Sequence, residues 1–144
     1  MALPQWTERL SVGIPQMDKQ HQQLLQMFHR LRKLVCENAT VDELGPIIRD
    51  LLEATAAHCH DEEELLRRHK YPPHAGHTRV HQEIIASLRR DYLHPLAKGK
   101  LKLYPHTVDA IADLLITHIR TEDRKYGAYL AARQVTPKSS TPVR

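Results

Sequence analysis

Residues 44–65 read LGPIIRDLLEATAAHCHDEEEL. Leu44, Ile48, Leu51, Thr55, His58, Glu62 and Leu65 recur there in steps of three and four. Only a helix places such positions on one face. That face starts apolar and then carries an imidazole and a carboxylate, four residues apart and therefore stacked. Thr40 and Glu43 upstream have the spacing of a capping box. Pro46 argues for a slightly later start, because proline is tolerated only among the first unsatisfied donors. The helix is expected from about Asp42 to just before Tyr71-Pro72-Pro73.

The same period appears in three further segments. Ile14, Met17, His21, Leu24, Phe28, Leu31 and Val35 line one face of a first helix, expected to start near Met17 or Asp18 and end near Asn38. His74, His77, His81, Ile84, Leu88 and Tyr92 line a third, starting at Pro73 or His74. His94-Pro95 marks its expected end, since the residue before proline disfavours the helical region. Val108, Ile111, Leu115, His118 and Glu122 line a fourth, which opens at Pro105 and runs to about Leu130. Four helices of roughly 20 residues, each about 30 Å long, with mostly short loops predict an all-α, up-down-up-down antiparallel four-helix bundle with an N-terminal arm. One domain over residues 1–131 is expected, with a flexible tail over 132–144 that is rich in Pro, Ser and Thr.

Composition narrows the class. The chain has 144 residues, 41% hydrophobic and 26% charged, so it is globular and large enough for a core without disulfides. Apolar runs are too short for membrane insertion. Met1–Leu10 does not read as a secretory signal, so the expected compartment is cytoplasmic. Formal net charge is +4, but the basic residues are scattered. Lys98, Lys100 and Lys102 form the one short basic run, read as a solvated loop rather than a nucleic-acid surface. Cys36 and Cys59 lack the spacing of a thiolate metal site and are expected to be free thiols.

Histidine is in excess, with 11 residues against one Trp and one Phe. One isolated core histidine is ordinarily satisfied by a backbone carbonyl. Here His21, His58, His77, His81 and His118 come from four converging faces, with Glu62 among them. Buried polar groups are costly unless paired, and a metal would satisfy all these nitrogens together. Imidazole and carboxylate without sulfur suit iron, zinc, copper or nickel. The set exceeds what one tetrahedral ion needs, and two ions sharing carboxylates would use it well. HExxH is absent, which excludes the common zinc-protease helix.

These residues are similar to those of the bacterial hemerythrins, a family of non-haem di-iron, oxygen-binding bundles. The resemblance runs over roughly residues 6–131. Trp6 precedes Leu10-Ser-Val-Gly-Ile14, and Asp18-Lys-Gln-His21 opens the first helix. His58-Cys-His-Asp-Glu62-Glu63 leads to Tyr71-Pro72 and then to His77-x-x-x-His81. His118-Ile-Arg-Thr-Glu-Asp123 closes the set.

The resemblance implies that His77, His81 and His118 hold one iron and His21 and His58 the other. Glu62 and Asp123 would bridge the two, with an oxo or hydroxo group as third bridge. The second iron would keep an open position for dioxygen. Helical arithmetic alone favours Glu122, four residues after His118, whereas the resemblance selects Asp123, five residues after it.

Leu115, one turn before His118, is expected to line the oxygen pocket together with Cys59. Relatives usually carry an aromatic residue at the place of Cys59. The implied function is reversible dioxygen binding for carriage, storage or delivery, and not catalysis. The rivals are a di-iron peroxidase, oxidase or nitric oxide reductase, or an oxygen or iron sensor using the same site. Asp61, Glu63 and Glu64 are expected to form a solvated face, with Glu63 able to hydrogen-bond a ligand imidazole. The other histidines are expected at the surface or behind the ligands. No protein partner can be named from the sequence.

Overall fold

The computed structural model describes residues 3–72 and 74–133, the side chains of 74 and 75 excepted. Among the described residues there are four long helical rods and no strand. Helix α1 spans Pro15–Cys36 and α2 spans Val41–Arg68. Helix α3 covers residues 74–97: His74–Leu88, a widened π turn at Arg89–Leu93, and a last turn His94–Ala97. Helix α4 covers residues 105–132: Pro105–His118, a second π turn at Ile119–Asp123, and Arg124–Ala132. α1 packs against α2 and α4, and α3 against the same two. The result is the expected up-down-up-down bundle. The expected place of the His74 side chain, and the expected tail from residue 134 onward, lie outside the described residues.

The inner face of α1 is the expected one: Met17, His21, Leu24, Phe28, Leu31 and Val35 are all buried. The helix starts earlier than Met17, at Pro15, where the missing N–H of proline costs no bond. In α2 the capping box forms, with Thr40 N–H donating to Glu43 Oε1 at 2.8 Å and Glu43 N–H donating to Thr40 Oγ1 at 3.2 Å. The cap therefore sets the start at Val41, and Pro46 is accommodated inside the helix rather than delaying it. The expected Leu65 is only partly buried, and Leu66 takes its place in the core. Leu66 stands four residues beyond Glu62, directly in line with it and His58.

α3 does not end at His94-Pro95. Its π turn closes with His94 N–H donating to Arg89 O, one residue longer than an α turn. The wider turn makes room for the Pro95 ring, which would otherwise strike the carbonyl four residues before it. Lys98, Lys100 and Lys102 are exposed as expected, while Leu101 is buried and pins their loop.

The N-terminal arm lies along the bundle. Leu3, Leu10, Val12 and Ile14 enter the core. Asp18 fastens the arm by accepting from the Val12 N–H at 2.8 Å and from the Ser11 hydroxyl. On the other side, Gly127 of α4 lets the arm approach: a Cβ there would strike the Val12 carbonyl oxygen.

Candidate metal centre

Each helix sends its polar residues to the same buried middle. His21 comes from α1, His58 and Glu62 from α2, His77 and His81 from α3, and His118 and Asp123 from α4. Donor atoms of Glu62, His77, His81, His118 and Asp123 lie within 4.8 Å of one another, as do those of His21, His58, Glu62 and Asp123. The two carboxylates belong to both groups. Glu62 Oε1 is 2.8 Å from His77 Nε2 and 2.9 Å from His81 Nε2, while Oε2 is 3.4 Å from His21 Nε2. Asp123 Oδ1 is 2.9 Å from His118 Nε2, and Oδ2 is 3.1 Å from His21 Nε2.

Glu122, by contrast, is partly exposed and pairs with Lys125 at 3.3 Å. The reason is the π turn at Ile119–Asp123, closed by Arg124 N–H donating to Ile119 O. In an α-helix a residue five positions on is turned about 140° away. The extra residue in this turn brings Asp123 back round to the face of His118. Spacing rules built on 3.6 residues per turn could not find that.

Behind the donor atoms stands a second set of side chains. His58 Nδ1–H donates to Gln20 Oε1 at 2.6 Å, and Gln20 Nε2–H donates to Asp61 Oδ2 at 2.9 Å. His81 Nδ1–H donates to Glu63 Oε2 at 2.7 Å, as expected of Glu63. These bonds leave the Nε2 lone pairs of His58 and His81 facing the middle. Tyr126 O–H donates to Glu62 Oε2 at 2.6 Å. Tyr126, Gln20 and Asp61 are absent from the sequence-derived site. Asp61 is not merely solvated, because it orients Gln20. Glu64 pairs with Arg67 at the surface. Of the remaining histidines, His29 bonds the Pro4 carbonyl oxygen at 2.8 Å, and His106 stacks on Tyr104.

The electrostatics follow from two acids among many bases. Burial alone would lower His21, but the Asp123 and Glu62 carboxylates outweigh it and raise its pKa to about 9. His77 is raised to about 9 for the same reasons. Burial dominates at His58, which falls to about 4 and is neutral. Burial opposes ionisation of Asp123, yet the His118, His21 and His77 rings bring it down to about 2. Burial would lower His81 too, but the Glu62 and Glu63 carboxylates raise it, so without metal protonated imidazoles offset the buried carboxylates.

That balance leaves atoms unsatisfied. His21 Nε2, His81 Nε2, His118 Nε2 and both Asp123 oxygens are buried without a hydrogen bond, although their opposites stand about 3 Å away. Each orphaned buried polar atom costs on the order of 1–3 kcal/mol. His77 Nε2–H donates to Glu62 Oε1 at 2.8 Å, but these other ring nitrogens and the Asp123 oxygens crowd together without such bonds, as metal ligands do. The donor set of imidazole and carboxylate fits a first-row cation. Cys59 is buried, and burial raises its thiol pKa, but it contributes no atom to either group. Leu115 lies in the apolar core one turn before His118. A cleft of about 350 Å³ opens on the outer side of His118, lined by Val80, Ile84, Leu114 and Glu122 among others.

A helical bundle whose buried waist gathers five imidazoles and two shared carboxylates defines a cation-binding bundle protein. The family model described as Hemerythrin HHE cation binding domain matches residues 12–130. The chain belongs to the hemerythrin family. It is 30% identical to the bacteriohemerythrin of Stenotrophomonas maltophilia (strain R551-3), over 92% of this chain and 84% of that one. It is also 30% identical to the myohemerythrin of Sipunculus nudus, over 84% of this chain and 88% of that one. The fold is similar to a crystal structure of wild-type hemerythrin, with TM-score 0.83 and 23% identity, covering 90% of this chain and 99% of that chain.

Proposed function

We propose that the chain binds dioxygen reversibly at a pair of non-haem iron ions and serves its carriage, storage or delivery. His77, His81 and His118 would hold one ion and His21 and His58 the other, with Glu62 and Asp123 shared between them. The observation that carries this reading is the unequal partition of donors, five residues in one group and four in the other. The first ion would thereby have more protein donors than the second, which would keep a place for a small ligand. Bound as a ferrous pair, the metal would supply the electrons for reversible dioxygen binding.

The chain's own residues do the rest. Tyr126 restrains Glu62 through its 2.6 Å hydrogen bond. Buried Leu115 and Cys59 supply an apolar lining that keeps water from the gas ligand. Among the described residues no helix is long and apolar enough to cross a membrane.

Iron counting with visible spectra under argon and air tests the reading. The expected result is two irons per chain and a band that appears in air and disappears under argon. One zinc and no iron, in protein grown with iron, overturns it. A second reading, a di-iron redox enzyme, is favoured by the cleft that reaches His118 from outside. Steady turnover of an added substrate, without spectral return under argon, would establish that reading instead.

A further inference from the structure

We infer that Glu63 and Gln20 make the two metal positions unequal, so that the position built on His77, His81 and His118 fills before the one built on His21 and His58. The inference rests on the two-metal reading above and concerns residues that touch no metal. His81 Nδ1–H donates to a carboxylate, Glu63 Oε2, at 2.7 Å. His58 Nδ1–H donates to an amide oxygen, Gln20 Oε1, at 2.6 Å. A carboxylate partner draws the ring proton away, makes Nε2 the stronger base and adds negative charge near the ion. A neutral amide does this far less.

Gln20 cannot change its part. Its Nε2 faces Asp61 Oδ2 at 2.9 Å, and an ionised carboxylate only accepts. The amide is therefore locked with its oxygen toward His58. His21 Nδ1 on that side and His118 Nδ1 on the other are both buried without a hydrogen-bond partner, so the difference between the positions rests on His58 and His81. The position with fewer donors thus also has the weaker imidazole. Gln20, Asp61 and Glu63 are positioning residues: they act through the rings they hold.

The test is anaerobic titration of the metal-depleted, full-length chain with cobalt(II), followed by visible absorption and native mass spectrometry. Wild type is expected to take two cobalt ions in two steps at least about tenfold apart. Gln20→Glu combined with Asp61→Asn, so that the new carboxylate faces an amide donor instead of the Asp61 carboxylate, should tighten the second step about tenfold while leaving the first unchanged. Glu63→Gln should weaken the first step about 10- to 100-fold. Circular dichroism of the metal-free variants checks that both fold.

Two indistinguishable steps in wild type overturn the inference. So do two wild-type steps that neither variant moves beyond twofold. Uptake of fewer than two cobalt ions by folded wild type defeats the two-metal reading itself, which separates the two failures.

Discussion

Asp123 Oδ1 stands 2.9 Å from His118 Nε2 on the same helix, although five residues separate them and an α-helix would turn them apart. The π turn between them is what makes a His-x-x-x-x-Asp pair act as neighbours. Widened turns of this kind recur at functional sites because they re-aim a side chain without breaking the helix.

Asp123→Ala should lower metal content from two ions per chain to at most one, because both groups lose a shared ligand. Glu122→Ala should leave metal content unchanged and stability within about 0.5 kcal/mol, since its partner is a surface lysine. Elemental analysis and urea unfolding check both. Equal losses in the two variants would contradict the geometry.

Tyr126→Phe removes a buried hydrogen bond to a charged acceptor. The expected cost is about 1.5–3 kcal/mol in the metal-free protein, read as a lower urea midpoint with an unchanged slope. An unaltered midpoint would show that Glu62 finds another donor.

Gly127→Ala drives a methyl group into the Val12 carbonyl. The arm must lift or the helix must shift, at roughly 1–3 kcal/mol. Trp6 is the sole tryptophan and sits on the arm, so its emission should move to the red and cleavage before Ile14 should accelerate. Unchanged emission with unchanged stability would place the arm elsewhere in solution.

Metal uptake should expel protons. In the metal-free protein His21 and His77 have pKa values raised to about 9, so both rings carry protons at pH 7. Ligation needs their lone pairs. Loading at pH 7 should release the protons of at least these two rings, and fewer as pH rises through 9. Calorimetry in two buffers of different ionisation enthalpy measures that number.

Folding stability of the metal-free form has the same sign. A raised folded pKa stabilises fully below the unfolded value of about 6.5 and loses that contribution as pH rises through 9. Urea midpoints of metal-free protein should therefore fall between pH 7 and 10. Asp123, lowered to about 2, adds stability that disappears as pH drops below about 4 toward that value.

The apolar seams were legible because burial repeats with the helix period, and every described seam residue of α1 is inside. Thr40 and Glu43 announced the start of α2 through a local bond that needs no tertiary partner. Neither π turn was legible: Pro95 reads as a helix end rather than as a turn widened at Arg89–Leu93, and no residue of Ile119–Asp123 marks the second. Leu65 and Leu66 are equally apolar, and only the line through His58 and Glu62 chooses between them. Gln20 and Asp61 were hidden for a related reason. They meet across two helices, 41 residues apart in the chain, and neither spacing nor residue type marks such a pair. Tyr126 did leave a signal, since it lies three residues beyond Asp123 on the inward face of α4.

Asp18 grips the arm one turn before His21, and Gly127 receives it one turn beyond Asp123. The arm is thus a clasp across the seam between the first and last helices, at the level where His21 and Asp123 face each other at 3.1 Å. Loosening the clasp from outside would let those two rods drift and widen the gap. Substitutions at Ser11 or Val12, which touch nothing reactive, therefore have leverage over how tightly the centre grips its cargo.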